Sequence, residues 1–541
     1  MAAAAALLLP LMLCNSSFAA GPPPAGAGIP VGGLELTLSA EQTVTQLKLS
    51  GAAGADGFSF TGAGGGKSHL GDVSIRVRPA PAAGQAAEPW ASFLSSGATP
   101  IPNGTACAKQ LPCKATLMLE GATDTDTEAP APFTILREWE QGPNATLRLV
   151  FKVTNTGAAD LEIGGMGMAM PFAWNAGSPA GDLASTFTDP AITGEHGFAT
   201  VTRLSGTHEI LMITTGVDAA WCAKATPGAY CRTSMEAWGQ AMPMPKAAGS
   251  ASEIGSGAPG GAALEWFCHT KAYADDWANA SKAWLPATSL VLKKGEAKDY
   301  VLLFSLASDI RSKDAALAAA STAVVHGVPG YILGMDMTTA KLLIRPPPGV
   351  TLVSAHTDTP AALTVGAPVA ARSGPAGWIS VPVRATADGR PRVTLTFSDK
   401  SFQVINYRTL PAFDEHIDKY GEYQADTAFF TDEDPFGRSP SFMPWDRELN
   451  KTVLNDARTF VVGLSDDAGG GANEGFAGKM RYRPTQHELE KLDLYVNSTL
   501  WGKELDGAGV PVSLQDHSSF GIRSSMYWVP LPTTNETGEP G

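Results

Sequence analysis

A chain of 541 residues that is 44% apolar is long enough for several domains and too hydrophobic for disorder. Its 53 acids against 39 bases give a formal charge of −14, and no lysine or arginine run is long enough to track phosphates. Nucleic acid is therefore disfavoured as a partner, and so are polyanions unless a local arginine cluster overrules the average.

Residues 1–20 read as a signal peptide: an apolar stretch from Ala2 to Leu13, then Ser16-Ser17-Phe18-Ala19-Ala20 before Gly21 and three prolines. The apolar run is too short to span a bilayer, so a secreted chain with no membrane span after cleavage is expected. Cysteine usage agrees. Cys107 with Cys113 and Cys222 with Cys231 read as two small disulfide loops, which leaves Cys268 as a buried free thiol. Neither pair has zinc-knuckle spacing, and the nine histidines fall in no ligand pattern, so no metal and no other cofactor is expected. Sequons at Asn103, Asn144, Asn279, Asn450, Asn497 and Asn535 suit a secreted glycoprotein.

From 21 to 305 short strands and turns predict a large antiparallel β-sandwich. Leu147, Leu149, Phe151 and Val153 alternate with Thr146, Arg148 and Lys152, the period of a half-buried strand, and 154–157 supply a turn. Residues 289–292 and 300–304, joined by Lys293-Lys294-Gly295-Glu296, predict a second hairpin. Arg137-Glu138-Trp139-Glu140 predicts ion pairs along a strand edge beside a buried Trp. The Ala/Gly/Ser run 246–263 reads as a surface insertion. A linker helix is expected within 306–330, capped by Ser312, propagated by 315–325 and stopped by Gly327 and Pro329. Residues 331–410 return to β and predict a smaller sandwich. After Pro411 the period turns helical: Leu449, Val453, Leu454, Ala457, Phe460, Val461 and Leu464 share one stripe. Thr485-Gln486-His487-Glu488 is a capping box, with Leu489, Leu492, Val496 and Leu500 as the buried face behind it.

Residues 432–469 concentrate eight acids and three arginines around a Trp, in a chain only 17% charged. This block, with ILREWEQGPNATLRLVFKVTN, DLEIGGMGMAMPF, HGVPGYILGMDM and GLSDDAG, resembles secreted proteins of an uncharacterised family in the six-hairpin glycosidase-like superfamily. The resemblance implies a large sandwich (supersandwich) followed by an (α/α)-toroid, and a carbohydrate partner. Residues 411–541 hold roughly four or five helices of ordinary length, so the toroid is expected to be partial.

Glycoside hydrolysis needs one carboxylic acid for the leaving oxygen and one carboxylate for water or the sugar. Asp434 and Asp446 lead because Pro435 and Pro444 hold them in restricted turns. Asp466 and Asp467, bracketed by Gly463 and Gly469, complete the catalytic candidates. The plain readings are turn initiation for Asp434, a helix N-cap for Asp446 and a helix C-terminus for the Asp pair. Arg438, Arg447 and Arg458 can fork to substrate or simply pair with neighbouring acids, and Trp445 can stack on a sugar face or fill a core. Gly64–Gly66 with Lys67-Ser68 lacks phosphate-loop spacing, and no Gly-x-Ser-x-Gly elbow is present. The sequence thus points to a secreted glycoside hydrolase-like protein using two carboxylates on a poly- or oligosaccharide. A non-catalytic carbohydrate-binding or cell-wall glycoprotein is the alternative.

Overall fold

The computed structural model describes residues 28–500 except 40–41, 52–57, 62–68, 83, 101–110, 123–129, 173–183, 189–190, 204, 207, 225–229, 241–263, 277–286, 372–376, 433–439, 443–444, 447–450 and 453–469. At 96–97, 99–100, 122, 184–188, 238–240, 264, 276, 445–446, 451–452, 470–474 and 499–500 the backbone alone is described. The fold is β first and α last. Two compact units emerge: Met1–Tyr331 with Thr339–Arg384 and Arg390–Arg408, and Ile332–Thr338 with Ala385–Gly389 and Thr409–Gly541.

The first unit is built on a 13-stranded antiparallel sheet. Its middle is the row Ala297–Ala307, Leu147–Asn155, Phe133–Gln141 and Cys113–Ala122, followed by Ala91–Pro100, Val73–Pro79, Leu161–Met170, Leu264–Cys268 and the edge strand Ala237–Gln240. The alternation at 147–153 is realised: Leu147, Leu149, Phe151 and Val153 are 1% exposed or less and face Phe304, Leu302 and Tyr300 across the ladder. Each such burial is worth about 1.5–3 kcal/mol, which fixes the register, because a one-residue slip would turn the whole row to solvent.

Two expectations need correction here. Leu290–Leu292 and Ala297–Ala307 do not form a hairpin; the first pairs with Leu161–Met170 and the second with Leu147–Asn155. The turn itself forms, but Asn155 wedges into it, its Nδ2 donating to the Leu292 carbonyl at 3.0 Å and its backbone N to the Glu296 carbonyl at 3.0 Å. Arg137 is not at an edge either. It lies in the core row beside Phe151, donating to the Gly71 carbonyl at 3.0 Å and to the Gln42 carbonyl. Burial, opposed by Asp72, lowers its pKa to about 10. The ion pairs sit on the opposite face, as Lys114–Glu138 at 2.8 Å and Arg148–Glu140.

The strand Leu161–Met170 is buried on both faces. Leu161, Ile163, Met166, Met168 and Met170 enter the core, and the Gly164–Gly165 bulge lets aromatic rings lie on the other side. A Cβ on Gly164 would stand 2.2 Å from Trp90, and one on Gly165 2.6 Å from Tyr273.

The linker helix is shorter than expected. Asp309 is the N-cap, with Ser312 as the other half of its capping box, and the helix Lys313–Ala319 ends before Val324–Val328, which is a strand paired with Lys341–Arg345. The β-branched pair Val324-Val325 buries in a ladder that local helical propensity cannot match. The later strands Leu352–Thr357, Ile379–Ala385, Arg392–Phe397 and Phe402–Asn406 form where 331–410 predicts β. They divide between a five-stranded and a four-stranded sheet, and Ile192–Gly194 completes the latter.

The second unit contains three helices among the described residues: Phe413–Tyr423, Gly470–Met480 and Gln486–Tyr495. The capping box forms, with Glu488 N–H donating to the Thr485 hydroxyl at 3.3 Å and Thr485 N–H to the Glu488 carboxylate at 2.9 Å. The buried stripe is rotated from the expected one: Glu488 and Tyr495 are buried, with Leu492 and Val496 only partly so. Of the stripe expected from Leu449 to Leu464, Lys451–Thr452 is a strand paired with Trp445–Asp446, and the rest lies outside the described residues. Asp446 therefore stands opposite Lys451 in a ladder. Among the described residues no helix is long and apolar enough to cross a membrane.

Candidate active site

Of the residues expected to act on sugar, Asp434, Arg438, Arg447, Arg458, Asp466 and Asp467 lie outside the described residues, and Trp445 and Asp446 are described by backbone alone. In the second unit a cleft of about 920 Å³ is lined largely by charges paired with one another. Lys479 meets Glu488 at 2.6 Å at its buried floor, Arg483 meets Asp418 at 2.7 Å, and His487 meets Asp426 at 2.7 Å. Cys222–Cys231 is a disulfide, Cys113 is disulfide-bonded, and Cys268 is free and buried. Cys107, Asn103, Asn279, Asn450 and Asn535 lie outside the described residues, while Asn144 and Asn497 are exposed.

The groups best suited to proton transfer lie elsewhere, where 230–236 enters the large sheet. This segment is threaded between Gly194 and Gly216: Met235 exchanges backbone bonds with Gly194, and Thr233 N–H donates to the Gly216 carbonyl at 3.1 Å. It leads into the edge strand Ala237–Gln240, so Glu236 stands at the sheet margin, half-buried. Its carboxylate accepts from the hydroxyls of Thr288, Thr270 (3.3 Å) and Ser234 (3.5 Å). The Tyr230 phenol lies within electrostatic reach of that carboxylate. Burial raises the Glu236 pKa to about 7, against the lowering effect of those hydroxyls. Tyr230 is also half-buried, and burial first, then the nearby Glu236 and Glu195 charges, holds its phenol well above the usual range.

His269 completes the group. It follows the strand Leu264–Cys268 at φ +60°, where the chain turns into the helix Lys271–Asp276. Its ring meets Tyr230 edge-on at 5.7 Å, and Nε2 lies 3.0 Å from the Tyr300 hydroxyl. Nδ1 is buried without a hydrogen-bond partner among the described residues. Burial, assisted by Lys298, brings the pKa down to about 3, so the imidazole is neutral. A carboxyl balanced near neutrality, a protonated phenol and a neutral imidazole with an unused nitrogen are equipment for general acid–base work.

A second cluster imitates a hydrolase triad and is not one. His196 Nε2 lies 2.9 Å from the Ser401 hydroxyl, which donates to Asp399 at 2.6 Å. His196 Nδ1, however, accepts the Ala323 N–H at 3.2 Å, so the ring proton sits on Nε2 and points at the serine. A nucleophilic serine needs the reverse polarity, and Ser401 is only 2% exposed. Glu195 and Glu265, both raised to about 7 by burial, are likewise internal: Glu195 accepts the Arg232 and Phe402 amides at 2.7 and 3.0 Å, and Glu265 the Ser74 hydroxyl at 2.7 Å. Among the described residues no group of three or more His, Cys, Asp or Glu is arranged to hold a metal ion.

Residues 39–536 match a family of unknown function, DUF5695. The chain belongs to that family. No curated protein matches it. Among solved structures, a polysaccharide lyase superposes with a TM-score of 0.58 at 12% identity, covering 92% of this chain and 64% of the lyase. The chain thus spans less than two thirds of that protein's length. A galactose mutarotase-like protein from Clostridium acetobutylicum matches at 10% identity over 51% of this chain and 94% of its own, with a TM-score of 0.27. The lyase likeness is one of fold.

In this DUF5695 chain no sequence pattern selected Tyr230, Glu236 or His269. The one local signal was the Cys222–Cys231 pair, which ends one residue after Tyr230. The hydroxyls that surround Glu236 come from Thr270 and Thr288, 34 and 52 residues downstream, and no local pattern announces such a shell.

Proposed function

We propose that the protein is a secreted carbohydrate-active enzyme that cleaves a poly- or oligosaccharide by proton transfer at Tyr230 and Glu236. The observation that carries the reading is a half-buried Glu236, held by three hydroxyls with its pKa raised to about 7, whose charge acts on the nearby Tyr230 phenol. The lyase-like fold supports a glycan as substrate, as does the resemblance of the sequence to six-hairpin glycosidase-like proteins. The chemistry that suits one carboxylate beside one phenol is elimination. Glu236 takes the ring proton next to a sugar carboxyl, the bond to the glycosidic oxygen breaks as a carbon–carbon double bond forms, and Tyr230 gives its proton to the departing oxygen. Water is not consumed.

Two-carboxylate hydrolysis, with the acid and base drawn from Asp434, Asp446, Asp466 and Asp467 and with Arg438, Trp445, Arg447 and Arg458 holding the sugar, is the second reading. It is favoured by the eight acids and three arginines of 432–469. Incubation with a glycan panel separates the two. Elimination yields an unsaturated, ultraviolet-absorbing sugar with each new reducing end, and hydrolysis yields the reducing end alone. Binding of a glycan with no new reducing end on any member of the panel contradicts both and favours a non-catalytic carbohydrate-binding glycoprotein.

A further inference from the structure

We infer that Lys298, Asp218 and the Cys222–Cys231 disulfide form one clamp that positions Tyr230, so that the acid–base pair is complete only in the oxidised chain. The inference rests on the reading of Tyr230 and Glu236 given above, but its structural half stands independently.

Asp218 is the centre of the clamp. Its N–H donates to the Cys231 carbonyl and its carbonyl accepts the Cys222 N–H, both at 2.9 Å, so both cysteines hang on one residue. Its carboxylate accepts the Trp221 and Asp299 amides at 2.9 Å each, and Lys298 Nζ lies 3.4 Å from Oδ2. The Lys298 ammonium, 1% exposed and 5.3 Å from the Trp221 ring centroid, reaches past Asp218 to the Tyr230 carbonyl at 3.0 Å. Tyr230 is thus held from two sides, by a charge-assisted bond to its own carbonyl and by the covalent bond of the next residue. An ammonium buried this deeply demands that partner carbonyl, so the backbone position of Tyr230 is set by Lys298 as much as by the disulfide.

Cys222 is half-buried while Cys231 is 7% exposed, so an external thiolate can approach from the Cys222 side. A small dithiol attacks one sulfur and releases the other as a thiolate. Its second thiol then closes a ring, which leaves two protein thiols and the cyclic disulfide of the reagent. The strands beneath, Leu147–Asn155 and Ala297–Ala307, are held by the core and do not depend on this bond.

The test is amide hydrogen exchange on the full-length chain before and after treatment with a small dithiol, with the Cys222→Ser/Cys231→Ser variant to exclude effects of the Cys113 bond. Protection of 230–236 is expected to fall about thirtyfold, the lower end of what a short disulfide loop contributes, while Leu147–Asn155 keeps its protection. Turnover of any glycan the oxidised protein cleaves falls with it and returns on reoxidation. Unchanged protection of 230–236, or its loss together with the central strands, overturns the clamp. If the oxidised protein cleaves no glycan, the exchange data still decide the clamp, and only the acid–base reading fails.

Discussion

His269 Nε2 lies 3.0 Å from the Tyr300 hydroxyl, and the other nitrogen of the same buried ring has no hydrogen-bond partner among the described residues. Such an unmet buried polar atom costs about 1–3 kcal/mol. His269→Phe removes that atom and the bond to Tyr300 together, so the melting temperature is expected to stay level or rise. Thermal unfolding checks this, and a large fall would show that the polar atoms of the imidazole stabilise the fold.

Tyr230→Phe and Glu236→Gln address the chemistry. Each is expected to lower turnover by roughly 10²–10⁴-fold with little change in circular dichroism or thermal midpoint, because each replacement keeps the shape of the side chain. A variant that retains wild-type turnover removes its residue from the mechanism.

Glu265 gives a stability test independent of any substrate. Its folded pKa is raised by burial to about 7 from a reference of 4.5. A raised carboxyl pKa means that the folded state holds the proton, so its stabilising contribution is fully present below 4.5 and is lost as pH rises through 7. Glu265→Gln stays neutral throughout. Relative to wild type it should therefore gain stability on the order of 3 kcal/mol between those limits, from the shift of roughly 1.4 kcal/mol per unit. Urea unfolding at pH 4.5 and 7.5 reads the difference, and a difference that does not change with pH would refute the assignment.

In the helical unit, Glu488 caps its helix and pairs with buried Lys479 at 2.6 Å. Glu488→Ala is expected to cost about 3–5 kcal/mol, since it strands a buried ammonium and removes the capping box together. Glu488→Gln retains the cap but not the charge and should fall between. Thermal unfolding of the second unit orders the three, and equal midpoints would show that the pair is solvated.

The β-rich half was legible because its signal is local. Leu147 to Val153 alternate with period two, and burial follows that period residue by residue. The capping box at Thr485 was legible for the same reason, since donor and acceptor lie three residues apart. Tertiary choices were not. Asn155 diverts a turn that in isolation closes a hairpin, and the pairing of Val324-Val325 with Arg345 and Ile344 ends a helix that the alanines would continue. The acid–base group was least legible, because Tyr230, Glu236, His269 and Thr288 come together only once three separate segments are in register. Composition drew attention to 432–469, whose charge is visible in sequence, and away from carboxyls whose significance arises from burial.

The pH–rate profile of glycan cleavage is the most direct measure of the central claim, that Glu236 acts as a base from a site that raises its pKa to about 7. A base works deprotonated, so log kcat/KM should climb with unit slope at acid pH, bend near 7 and stay level above it, because Tyr230 keeps its proton well past neutrality. The Glu236→Gln variant should lose that bend along with most of the rate. A wild-type profile that falls above pH 7, or one that Glu236→Gln leaves unaltered, would contradict the account.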